Sequence, residues 1–213
     1  DDAVRDFLRQ QQREDDFQRL EADRGATYDL HDEIDLGKLE PLIALPSSPG
    51  KVFPVREVAG EPIYQAYIGS SANPGLRDFA VPAMMVKGRQ VREGVSFDIN
   101  PTSRQVLENL VELGHLTDLL SAGARLHQTG CNGCIGMGQA PATDQISLRT
   151  VPRNFAGRSG THEDKVCLCS PETATASALT GVITDPRDLD MDYPVFDERS
   201  TFYMDDRNIR PPA

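Results

Sequence analysis

Beyond residue 60 the chain switches repeatedly between two hydrophobic periods, and that switching predicts its architecture. Ile63–Ser70, Val95–Ile99, Ala124–Gln128, Ile146–Val151 and Lys165–Cys169 are short apolar or alternating runs of the kind that form strands. Between them the apolar positions fall three and four apart. Asn73-Pro74 predicts a helix start, with Asn as cap and Pro at the first helical position, turning Ala80, Val81, Met84 and Met85 inward. Thr102 and Gln105 have capping-box spacing, ahead of a helix that buries Val106, Leu107, Leu110 and Val111 and stops at Gly114. A shorter helix runs from about Thr117 to Gly123. Ser170-Pro171-Glu172 opens the last helix with a cap, a proline and a first-turn acid, and Gly181 closes it. Strands separated by such helices need crossover connections, so the expected fold class is α/β, with a largely parallel sheet and flanking helices.

The two ends follow other rules. Residues 1–60 predict an N-terminal helical extension and linker, the edge of a preceding domain. Asp1–Arg24 is densely charged, with Phe7, Leu8, Phe17 and Leu20 as its few apolar anchors, which suits one or two short solvated helices. Leu39–Gly50 carries three prolines and reads as extended chain. Residues 61–185 form the α/β domain. Residues 186–213 are acidic and proline-rich, either a tail or a linker toward a C-terminal domain.

Composition narrows the function classes. The 213 residues carry a formal charge of −11, which repels a phosphate backbone and argues against nucleic-acid binding. No apolar run reaches the length of a membrane span. A small anionic substrate stays possible, because a local arginine cluster outweighs distant charge. The four cysteines are too sparse for a disulfide-stapled domain, and two of them form C-x-x-C, so the expected location is the reducing cytoplasm. The first residue is Asp1 rather than Met, as in a processed or partial chain.

Three segments carry candidate chemistry. Thr129-Gly-Cys-Asn-Gly-Cys-Ile-Gly136 follows a strand. Its two thiols, Cys131 and Cys134, lie on one side of a turn, and its glycines admit a bulky inorganic ligand. A metal centre outweighs a redox pair here, because a thioredoxin-type pair opens a helix directly. Pro152-Arg-Asn-Phe-Ala-Gly-Arg-Ser-Gly160 sets Arg153 and Arg158 around a turn, where two guanidinium forks can clamp carboxylates; solvated surface arginines are the plainer reading. Gly69-Ser-Ser-Ala-Asn73 lies between a strand end and a helix start, a ligand position in α/β folds or simply a cap.

In this order, and followed by Ser170-Pro-Glu-Thr-Ala-Thr-Ala-Ser-Ala-Leu-Thr-Gly181, these segments resemble the aconitase family of hydro-lyases. Members carry a G-S-C-T-N-like turn, a C-x-x-C-[IL]-G loop and an N-R-N-F-x-G-R turn. The resemblance implies the third domain of a four-domain enzyme. Its substrates would be small anionic 2-hydroxy di- or tricarboxylic acids, citrate and isocitrate first among them, and its partners the remaining domains of the same enzyme. It implies a [4Fe–4S] cluster held by three cysteines, with Cys131 and Cys134 as metal ligands. Arg153, Arg158, Ser71 and Asn73 would bind substrate, and the serine base would lie in an absent domain. Two positions depart from the pattern: Ser71 stands where the first cluster cysteine belongs, and Pro152 replaces an asparagine. A degenerate domain that binds a metal or a partner without catalysis is the alternative.

Overall fold

The computed structural model describes residues 1–70 and 75–197. The expectations placed on Ser71, Asn73 and residues 198–213 lie outside them. The described chain falls into two units, residues 1–39 and the residues from Glu40 onward.

The first unit contains one α-helix, α1 (Asp2–Gln10), capped by the Asp1 carboxylate at the Val4 amide. Arg9 pairs with Asp6 and Glu14, and the Arg5 guanidinium lies 4.6 Å from the centre of the Phe17 ring. None of the helix is buried, and exposed ion pairs of this kind each contribute ~0–1 kcal/mol.

The second unit is built on a seven-stranded sheet. Its strands are β1 (Leu42–Ala44), β2 (Val52–Pro54), β3 (Gln65–Gly69), β4 (Ser96–Asn100), β5 (Arg125–Leu126), β6 (Ile146–Arg149) and β7 (Lys165–Cys169). They lie in the order β2-β1-β7-β6-β3-β4-β5. The five strands from β7 to β5 are parallel, while β1 pairs antiparallel with both β7 and β2. The fold is α/β, as the alternating periods require. Residues 42–54 are a correction: the prolines rule out helix but permit edge strands, so part of the expected linker extends the sheet.

Helix α2 (Arg77–Val86) lies in the crossover from β3 to β4, helices α3 (Arg104–Glu112) and α4 (His115–Ser121) in that from β4 to β5, and α5 (Pro171–Thr180) follows β7. Helix α2 starts at Arg77, three residues after Pro74, with Leu76 at its cap position. Ser103, not Thr102, caps α3 by accepting from the Val106 amide, and Val111 is exposed. Helix α5 is buried nearly all round because its residues are small. Its Thr175 and Ser177 hydroxyls donate to carbonyls one turn back, so no polar group there is left without a partner. The 186–197 run does not stand free: Leu189, Met191 and Phe196 cover Val81, Met85 and Ala176.

The pleat divides the sheet chemically. Ala66, Ile68, Phe97, Ile99 and Leu148 alternate onto an apolar face and are all buried. The intervening positions are polar, and they form the floor of the candidate site.

Candidate functional site

Register places the polar residues of three neighbouring strands side by side. Gln65 of β3 lies between Ser96 of β4 and Ser147 of β6, and Tyr67 lies between Asp98 and Arg149. Except for half-buried Ser96, all are closed to solvent. Burial of so many polar atoms is tolerable only if they satisfy one another. Asp98 accepts from Ser96 Oγ at 2.8 Å and Gln65 Nε2 at 3.2 Å, and His127 Nε2 lies 2.8 Å from its other oxygen. The Tyr67 hydroxyl donates to Asn100 Oδ1 at 2.6 Å, and burial pushes its pKa upward, so it remains a neutral donor.

The cysteine loop lies over this floor. Asn100 and Asn132 side-chain amides donate to the Gln128 carbonyl at the loop's entry. A 3-10 turn spans Gly133–Ile135. Gly133 is required by its neighbour rather than by its backbone angle: a Cβ there would overlap the Tyr67 ring. The Arg149 guanidinium rises from the floor, donating to the Gly133 carbonyl at 2.6 Å and the Gln139 carbonyl at 2.8 Å. Cys134 is buried and Cys131 exposed. Burial, assisted by Cys131, pushes the Cys134 thiol up, and neighbouring Arg158 pulls it back.

The arginine turn packs on the loop's far side. Arg158 Nη1 donates to the Cys134 carbonyl at 3.1 Å, and Ser159 Oγ donates to the same oxygen at 3.4 Å. Gly136, at φ +87°, leaves no room for a Cβ against the Ser159 carbonyl, so loop and turn meet backbone to backbone. Asn154 ties the turn to the sheet, its amide nitrogen donating to the Leu45 and Val166 carbonyls at 3.0 Å each. The structure thus joins Cys131, Cys134 and Arg158, three residues expected from the sequence. Arg153 lies on the same turn but is exposed and makes no hydrogen bond or ion pair among the described residues. A separate cavity of about 440 Å³ is walled by Met85, Glu172, Tyr193 and their neighbours, none of them from the cysteine loop.

The donor set does not fit a cluster held by three thiolates. Cys167 pairs in register with Leu148, so it and Cys169 occupy the face opposite Arg149 and the loop. Burial pushes the Cys167 thiol up to about 12 and raises Cys169 as well, marking both as packed, protonated thiols. Two thiols therefore remain for the loop, and no group of three or more His, Cys, Asp or Glu is placed to hold a metal ion among the described residues.

The family model of the aconitase family (aconitate hydratase) matches residues 1–181. The chain belongs to the aconitase family. Among curated relatives of this aconitase-family chain, the 3-isopropylmalate dehydratase large subunit 2 of Archaeoglobus fulgidus is 36% identical over 190 residues, covering 89% of this chain and 46% of that protein. The large subunit 1 of Methanopyrus kandleri is 41% identical over 170 residues, 79% of this chain and 40% of its own length. The large subunit of Mycolicibacterium smegmatis is 38% identical over 174 residues, 80% of this chain and 41% of its own. The chain spans a little under half the length of the relatives it matches. These relatives are named for 3-isopropylmalate, so they lend no support to citrate as first choice.

Sequence reasoning missed the floor: Tyr67, Asp98, Asn100, His127 and Arg149. The signal was present in the polar residues recurring at every second position of three strands, Gln65/Tyr67, Ser96/Asp98/Asn100 and Ser147/Arg149. That pattern marks a polar sheet face.

Proposed function

We propose that this chain is the cysteine-loop and carboxylate-binding portion of an aconitase-type hydro-lyase that dehydrates and rehydrates a 2-hydroxy di- or tricarboxylic acid. The observation that carries the reading is the contact between loop and arginine turn through the Cys134 carbonyl. One bond orients the Arg158 fork, and its remaining N–H groups are available to a substrate carboxylate beside the loop. Arg153, exposed on the same turn, offers a second guanidinium. In this reading Arg158 and Arg153 bind and orient the anion, and the buried floor keeps the loop in place. Proton transfer belongs to residues outside this chain. No step is assigned to an iron–sulfur cluster, because the loop's two thiols are one short of the family's set.

Partners on this reading are the remaining domains of the same protein and, by analogy with relatives named as large subunits, a small subunit. The described helices include none long and apolar enough to cross a membrane, and the reading keeps the cytoplasm as location. The test is dehydration by the intact protein, purified without oxygen and with its partners. Citrate, isocitrate and 3-isopropylmalate are offered in turn, and the conjugated double bond is followed by ultraviolet absorbance. Turnover of any one supports the reading and names the substrate. No turnover by a folded, fully assembled protein refutes it and leaves the second reading, a non-catalytic aconitase-like domain, which the missing third thiolate favours.

A further inference from the structure

Arg149 is the bulkiest side chain in the interior and is completely closed to solvent, yet no carboxylate lies within ion-pair distance of it among the described residues. Its four hydrogen bonds go to neutral acceptors: Ser147 Oγ at 2.9 Å, Gln65 Oε1 at 2.6 Å, and the Gly133 and Gln139 carbonyls. The guanidinium also stands 4.9 Å from the centre of the Tyr67 ring. Burial lowers its pKa to about 10 against the opposing pull of Tyr67, Asp98 and Asp164, so it stays protonated at neutral pH and carries the desolvation cost of a buried charge. An apolar residue would fill β6 without that cost. What it could not do is bridge two loop carbonyls six residues apart, one on each side of Cys134.

We propose that Arg149 is a positioning residue for the aconitase-type site. Its planar fork clips the cysteine loop to the sheet, keeping Cys134 buried and its carbonyl turned toward Arg158. Gln65 and Ser147 hold the guanidinium from below, and Ser147 Oγ in turn donates to Gln65 Oε1 at 2.6 Å, so the fork's direction is fixed before the loop closes over it. The meaning of this device for turnover rests on the hydro-lyase reading. The loop restraint does not, so the two can fail separately.

The test uses the full chain and cysteine-by-cysteine labelling with N-ethylmaleimide, mapped by mass spectrometry. Cys131 is exposed and should label fast, whereas Cys134 and Cys167, both buried, should label slowly. Cys167 lies on the opposite face of the same sheet and reports on the integrity of the whole domain. In Arg149→Met, loss of two charge-assisted bonds should open the loop locally and raise the Cys134 rate by at least about tenfold, with Cys167 unchanged. Arg149→Lys keeps the charge but cannot reach both carbonyls, so it should expose Cys134 in the same selective way; it decides the matter alone if Arg149→Met does not fold. Persistent protection of Cys134 in Arg149→Lys overturns the proposal. So does exposure of Cys134 in step with Cys167, which would make Arg149 a general stabiliser of the fold.

Discussion

Gly133→Ala is the smallest change that tests whether the loop and the sheet floor are fitted to each other. The added methyl would lie 2.5 Å from Tyr67 Cε2, and closer still to Cζ and the hydroxyl oxygen, where ordinary contact begins near 3.4 Å. The ring cannot retreat, being fully buried and hydrogen-bonded to Asn100. The loop cannot rise without stretching the 2.6 Å bond from Arg149 to the Gly133 carbonyl. Overpacking of this kind costs ~1–3 kcal/mol, and displacing Tyr67 from Asn100 leaves a buried acceptor unpaired for ~1–3 kcal/mol more. The expected loss of stability is therefore about 2–6 kcal/mol, read as a lower urea midpoint at unchanged slope. Gly133 lacks a positive φ, so backbone strain contributes nothing and the whole effect should depend on the ring. In a Tyr67→Ala background the same substitution should cost less than about 1 kcal/mol, a coupling that a double-mutant cycle measures directly. Equal costs in the two backgrounds would refute the packing argument.

Arg158→Lys in the assembled enzyme should lower kcat/KM by the equivalent of ~2–5 kcal/mol, since an ammonium cannot hold the Cys134 carbonyl and a carboxylate in one plane; unchanged steady-state kinetics would return the residue to the ordinary surface. Burial holds the Asp164 carboxyl above its ordinary value of 3.8, so the native state binds that proton more tightly than the unfolded chain and is penalised as pH rises past 3.8. Asp164→Asn should accordingly raise the melting temperature at neutral pH and change it little below about pH 4, measured by calorimetry across that range. Anaerobic treatment with iron and sulfide should load little iron on the unaltered protein, and Ser71→Cys should raise retention; full cluster stoichiometry without that substitution would show that a third thiolate is unnecessary.

The parallel sheet was legible because β3, β4, β6 and β7 combine a period of two with crossover spacing, and local propensity and tertiary fold agree there. Strands β1 and β2 were not. Each has three residues beside prolines and looks like linker until β7 pairs with β1 and β1 with β2. The α3 cap was misread by one residue because Thr102 and Ser103 have equivalent capping chemistry, and only backbone angles choose between them. At the site, Cys131, Cys134 and Arg158 stood out by residue type and spacing. Arg149 did not, since its importance comes from contacts with Gly133 and Gln139, sixteen and ten residues away along the chain. Cys167 and Cys169, two positions apart on β7, share the face opposite the loop, as strand alternation requires.

The two rims of the sheet bear on how the molecule behaves in concentrated solution. Its outermost strands are β2, three residues long and ending on Pro54, and β5, only two residues long. Neither presents the long, flat row of unpaired amides that recruits a strand from another molecule, and a proline cannot donate to such a pairing at all. With a net charge of −11 adding mutual repulsion, preparations of this chain should resist edge-to-edge aggregation. It is thus a practical carrier for the labelling and unfolding measurements, which need dispersed, native molecules at high concentration.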